Sequence, residues 1–185
     1  MFTITISQEL KDYCGKLITD HNFGNRGFAD GNREEQYTGL LGQSMICRLL
    51  GLPLPTGEGG FDDGVDLEIN GLKIDVKTMG RTTPVRKYYV NNFIALQKHY
   101  QTDVYIFCSI DKSTSKFTVC GWVTKAQLLD RAEFYKKGTK RFRSDKTWFK
   151  TKTDLYEIAN DKLNDVNSPD ELKTAIAELK SSGRD

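Results

Sequence analysis

The sequence predicts an α/β domain, and three observations carry that reading. A helix-period apolar pattern runs from Arg33 to about Leu50, a tight Asn-Gly hairpin follows at residues 64–78, and two dense β-branched and aromatic segments stand at 104–110 and 117–123. Helix and strand patterns therefore alternate along one chain. With 185 residues and 38% hydrophobic content, the chain is read as a single domain over 1–185, long enough to bury a real core.

In chain order, "HNFGNRGFADGN" at 21–32 is rich in glycine and asparagine and reads as an irregular loop after a short helix or extended start. In the helix that follows, Tyr37, Leu41, Met45 and Leu49 recur every four residues, and Gly51 and Pro53 end it. Glu35, Gly39, Gly42, Gln43 and Ile46 share another side. Each glycine inside a helix costs up to about 1 kcal/mol relative to alanine, so the pair predicts close approach of the helix to a sheet. "PTGEGGFDD" then leads into the hairpin; Asp62 and Asp63 read as turn residues, with a spare metal-ligand role as the other reading.

A two-residue Asn70-Gly71 loop of the primed type sets the hairpin register. Leu67 faces Ile74, Glu68 faces Lys73, Ile69 faces Leu72 and Asp66 faces Asp75. Val65, Leu67, Ile69, Leu72, Ile74 and Val76 form one apolar face, and the charges fall on the other. Cβ atoms of directly opposed residues lie about 5 Å apart, where like charges repel. Lys77, on the same face as Asp75, offsets that repulsion in part; a divalent cation held by both carboxylates would remove it more completely. The other reading is a solvated hairpin face.

Beyond the hairpin, "GRTTPVRKYYVNN" is a polar connection holding Arg81, Arg86 and Lys87, followed by a helical stretch to Tyr100. "VYIFCSI" and "FTVCGWV" are strands joined by "DKSTSK", and Thr124 with Gln127 opens a capping-box helix to about Lys137. The segment 136–152 carries eight Lys or Arg residues against one acid, Asp145, with Phe142, Trp148 and Phe149 interleaved. It reads either as a nucleic-acid surface or as a solvated basic loop anchored by core aromatics. Ser168, Pro169 and Glu171 supply the N-cap, first-turn proline and N3 acid of a C-terminal helix at about 168–180.

A net charge of +2 is too mild to announce a nucleic-acid partner, so any basic surface has to be local. No secretory pattern opens the chain and no apolar run approaches the roughly 18 residues of a membrane span, so a cytoplasmic protein with no membrane partner is expected. Cys14, Cys47, Cys108 and Cys120 lack paired spacing, and with only His21 and His99 to join them they read as buried reduced thiols rather than a zinc or disulfide framework.

The order of a helix, a strand with Gly64-x-Asp66, a strand with Asp75-Val76-Lys77-Thr78, further strands and a helix resembles the PD-(D/E)XK nuclease superfamily, over a core of about 33–137. Val65 stands where the family name has proline. The resemblance implies a restriction-endonuclease-like fold, a mixed central sheet flanked by helices, and metal-dependent hydrolysis of phosphodiester bonds in DNA. Asp66 and Asp75 would hold Mg²⁺, with Mn²⁺ able to substitute and the Val76 carbonyl completing the coordination. Lys77 would hold the attacking water and stabilise charge on the phosphate. Relatives often carry a "GxxGE" stretch where this chain has Gly39-Leu40-Leu41-Gly42-Gln43, so either Gln43 or Glu35, two turns earlier, is the helix's contribution. Arg81, Arg86, Lys87, Lys140, Arg141 and Arg143 are the candidate DNA contacts. The expected function is a DNA endonuclease of the restriction, repair, recombination or phage type. The rivals are an inactive nucleic-acid-binding protein on the same fold and a small-molecule or protein-binding domain, and the sequence leaves open whether two copies pair as a homodimer.

Overall fold

The computed structural model describes residues 1–21, 23, 31–57, 64–142 and 146–181. Strand β1 (Phe2–Thr5) leads through the N-cap Ser7, whose side chain accepts from the Leu10 amide, into helix α1 (Gln8–Asp20). Helix α2 (Arg33–Leu50) has the bounds its sequence predicts. Asn32 and Glu35 close a capping box at its start, and Gly51 ends it in the left-handed region at φ 73°.

The hairpin forms as expected, from β2 (Leu67–Ile69) and β3 (Leu72–Arg81). Asn70 and Gly71 take φ 54° and 84°, the primed-turn signature, and the Leu67–Ile74, Glu68–Lys73 and Ile69–Leu72 pairs are in register. Further along come β4 (Val90–Ile94), β5 (Val104–Asp111), β6 (Lys116–Thr124), α3 (Lys125–Arg131), β7 (Glu133–Tyr135), β8 (Lys140–Phe142), β9 (Trp148–Lys150), β10 (Leu155–Ala159) and α4 (Pro169–Ser181).

The fold is mixed α/β. Its main sheet has the order β1-β6-β5-β3-β2, with β3 parallel to β5 and the other neighbours antiparallel. A second sheet runs β4-β10-β7, and β8 pairs with β9 alone. Strand β5 is buried along its whole length because both faces are covered. Val104, Ile106 and Cys108 pack with α1, α2 and α4 residues such as Leu10, Ile46 and Leu172, while Tyr105 and Phe107 join Phe93, Leu128 and Ile158 in a second core layer. Gly42 explains the tight seat of α2: a Cβ there would lie 1.8 Å from the Thr78 hydroxyl on β3. Gly39 has no such neighbour within 4 Å. All four cysteines are buried and reduced, and Cys108 and Cys120 do fall on adjacent strands.

Three expectations are corrected. The stretch before Tyr100 is strand β4 and a short 3-10 turn at Ala95–His99, not a helix. The helix after Thr124 stops at Arg131, and Glu133–Tyr135 extends as β7. Both changes have one cause, the unpredicted strand β10, which pairs with β4 on one side and β7 on the other. The third is the reading of the basic segment as a solvated loop anchored by core aromatics: its residues pair as β8 and β9, and Phe142 and Trp148 are exposed. Among the described residues no helix is long and apolar enough to cross a membrane.

Candidate functional site

The Gly64-x-Asp66 stretch is shaped by its glycine. Gly64 sits at φ 77°, a Cβ on it would lie 2.3 Å from the Tyr100 ring, and its carbonyl accepts from the Thr102 hydroxyl at 2.9 Å. That anchor delivers Asp66 to the end of the hairpin ladder. The ladder itself stops at Leu67–Ile74, so Asp66 does not oppose Asp75 as a backbone pair. Its carboxylate Oδ2 instead accepts from the Val76 amide at 2.7 Å, which brings the acid to the peptide unit joining Asp75 to Val76. Its carbonyl accepts from Gln43 Nε2 at 2.9 Å, so α2 and β3 hold the residue from two sides.

Asp75 is 2% exposed, which removes the solvated-face reading of its position. Lys77 Nζ lies 2.6 Å from Asp75 Oδ2, the offset its same-face spacing predicts, and the lysine side chain is itself 19% exposed. An ion pair this sheltered is screened far less by salt than a surface pair.

Tyr105 is the residue that sequence reasoning missed. Parallel pairing sets it beside Asp75, with Phe107 beside Lys77. Its hydroxyl has no hydrogen-bond partner of good geometry among the described residues. Burial, and then the negative charge of Asp75, push the phenol up to about 12 against a smaller opposing contribution from Thr102. On the other side of the sheet, burial and then the charge of Asp66 push the Cys47 thiol up to about 11. No local signal identifies Tyr105, because its partner strand lies thirty residues upstream in sequence.

Glu35 is engaged elsewhere. Its carboxylate accepts from the Asn32 amide at 2.9 Å in the capping box, on an exposed turn about 12 Å along the axis from Gln43. Among the described residues no three His, Cys, Asp or Glu side chains gather as a metal cluster; the Asp66 carboxylate reaches the backbone amide that follows Asp75. Asp62, Asp63 and Arg143 lie outside the described residues.

The basic candidates divide by what they touch. Arg81 donates to the Val90 carbonyl at 2.8 Å and lies 4.8 Å from the Tyr89 ring centre. Arg141 meets the buried Glu157 at 2.6 Å and covers the Tyr135 ring at 3.8 Å, and the Glu157 hydrogen bond raises its pKa further. Arg86, Lys87 and Lys140 are exposed. No protein-family model matches this chain, and no curated protein or solved structure matches it either.

Proposed function

We propose that the chain is a divalent-metal-dependent DNA endonuclease with a restriction-endonuclease-like arrangement. One observation carries the reading: Asp66 is bonded to the Val76 amide immediately after the buried Asp75, and Lys77 is ion-paired to Asp75 on the same strand. The Asp66 carboxylate, held at the Val76 amide, and the carboxylate of the preceding residue Asp75 are hard oxygen donors of the kind Mg²⁺ or Mn²⁺ takes, with the Val76 carbonyl as a further donor of the same type, so the donor chemistry fits the ion. When bound, such an ion supplies Lewis-acid polarisation of the scissile phosphate and a water of lowered pKa.

The chain's own groups do the rest. The Lys77 ammonium has three donors, of which Asp75 takes one, leaving others for a phosphate oxygen and the attacking water. Gln43 keeps Asp66 in place through its backbone, and the Tyr105 hydroxyl adds a neutral donor at the buried end. Burial strengthens each of these interactions by lowering the local dielectric. The rival is an inactive DNA-binding protein on the same fold, favoured by neutral Gln43 standing where relatives carry an acid and donating to Asp66.

The test incubates purified protein with supercoiled plasmid and Mg²⁺ or Mn²⁺, with and without EDTA. Metal-dependent nicking or linearisation is expected. Asp75→Asn, which keeps the shape of a buried side chain, abolishes it, and Lys77→Met slows it by about 10²–10³, the usual loss for one pre-aligned donor. Retention of plasmid without cleavage under either metal would establish the inactive binder, and undiminished cutting by Asp75→Asn would sink the site.

A further inference from the structure

The β8–β9 hairpin has two unlike faces. Lys140 pairs with Lys150 and Phe142 with Trp148, so these four side chains share one face, while Arg141 and Phe149 share the other. The inner face is fastened to the second sheet by Arg141, which meets buried Glu157 at 2.6 Å and covers the Tyr135 ring at 3.8 Å. The outer face is left to solvent. Phe142 is 64% and Trp148 55% exposed, and the Lys140 ammonium lies 5.0 Å and 4.7 Å from the two ring centres. Two large rings left exposed side by side on a two-stranded ribbon and flanked by lysines are costly on a surface unless something covers them.

We infer that this outer face is a stacking platform for unpaired bases, so that the substrate carries a single-stranded segment of DNA. The inference rests on DNA being the partner under the proposed function and adds the form that DNA takes. The chemistry is complementary on both counts. Nucleobases offer flat faces to Phe142 and Trp148, and a phosphate chain offers negative charge to Lys140 and Lys150, with exposed Lys136, Lys137, Lys146 and Lys152 close in the chain. A duplex interior hides its base faces within the stack, so only unpaired or extruded bases reach these rings. The inner-face Arg141 takes no part, because its guanidinium belongs to Glu157.

The test measures binding in EDTA, where no cutting occurs, by fluorescence anisotropy of labelled oligo(dT) and of a blunt duplex of equal length. Oligo(dT) binds more tightly than duplex. Trp148→Ala and Phe142→Ala each weaken oligo(dT) by about fivefold or more, the lower end for loss of one base–aromatic stack. Trp148→Leu and Phe142→Leu keep an apolar cross-strand pair, so the hairpin is preserved while the flat ring is lost; they weaken binding to a similar degree, and Trp148→Phe retains most of it. Lys140→Gln and Lys150→Gln each reduce the slope of log affinity against log salt by about 0.7, one single-strand phosphate. Leucine variants that bind oligo(dT) like wild type, or a wild-type preference for duplex, would overturn the inference. Ring-dependent oligo(dT) binding by a protein that never cuts removes the nuclease reading and keeps the platform; plasmid cutting without ring-dependent binding does the reverse.

Discussion

Gly42 and Gly39 lie three residues apart on α2, and alanine at each should move stability in opposite directions. The added Cβ at 42 would lie 1.8 Å from Thr78 Oγ1, 2.7 Å from Thr78 Cβ and 2.9 Å from Thr78 Cγ2. Rotating the threonine does not help, since its own Cβ is already too near, and ordinary carbon contacts sit at about 3.5–4.0 Å. The helix must back away from β3. Overpacking of this kind costs about 1–3 kcal/mol, against which better helix propensity returns up to about 1 kcal/mol. At Gly39 nothing lies within 4 Å of the added atom, so only the propensity gain remains. Gly42→Ala therefore melts several degrees below Gly39→Ala, taking about 2–4 °C per kcal/mol for a chain of this size. Thermal melts by circular dichroism and urea midpoints with an unchanged slope measure the difference. Adding Thr78→Gly should recover part of the loss in a non-additive manner, as contacting residues do. A Gly42→Ala protein melting at or above Gly39→Ala would refute the seating of α2 on β3, and with it the route by which Gln43 reaches Asp66.

Two further outcomes are expected. Gln43→Ala lowers cleavage more than Glu35→Ala at saturating Mg²⁺, because it releases the Asp66 carbonyl, whereas Glu35→Ala removes a helix cap worth about 1 kcal/mol and touches no site residue; a dead Glu35→Ala beside an active Gln43→Ala reverses the assignment. Gln43→Glu sets an acceptor against that carbonyl and is less active than wild type. Stability should also fall on the alkaline side, because Tyr105, Cys47 and Cys120 have folded pKa values raised to about 12, 11 and 12 above ordinary values of 10.0, 9.0 and 9.0. The folded state holds these protons more tightly than the unfolded chain, so stability is full below about pH 9 and declines as pH rises toward 12. Urea midpoints from pH 8 to 10.5 trace this decline, and Tyr105→Phe makes the limb above pH 10 shallower; parallel limbs for the two proteins would mean the phenol is not buried beside Asp75.

Features set by a few consecutive residues were legible in the sequence. The bounds of α2 follow from the Asn32–Glu35 capping box and Gly51, the hairpin register from two positive φ angles at Asn70 and Gly71, and the Asp75–Lys77 pair from a two-residue period along one strand. Each closes over a short loop and is decided before distant chain arrives. Other features depend on which distant strand lies alongside. Tyr105 joins the site only because β5 pairs in parallel with β3. Strands β4 and β7 exist because β10 runs between them, and their own short half-exposed sequences carry too weak a strand preference to announce it. The way Asp66 is held was not legible either. The ladder ends one residue before it, and its carboxylate, in place of its backbone, takes the Val76 amide. Arg141 and Lys140, neighbours in one basic run, part company for the same reason: alternation along β8 sends one to Glu157 on β10 and the other to solvent, and only packing against the second sheet says which face is which.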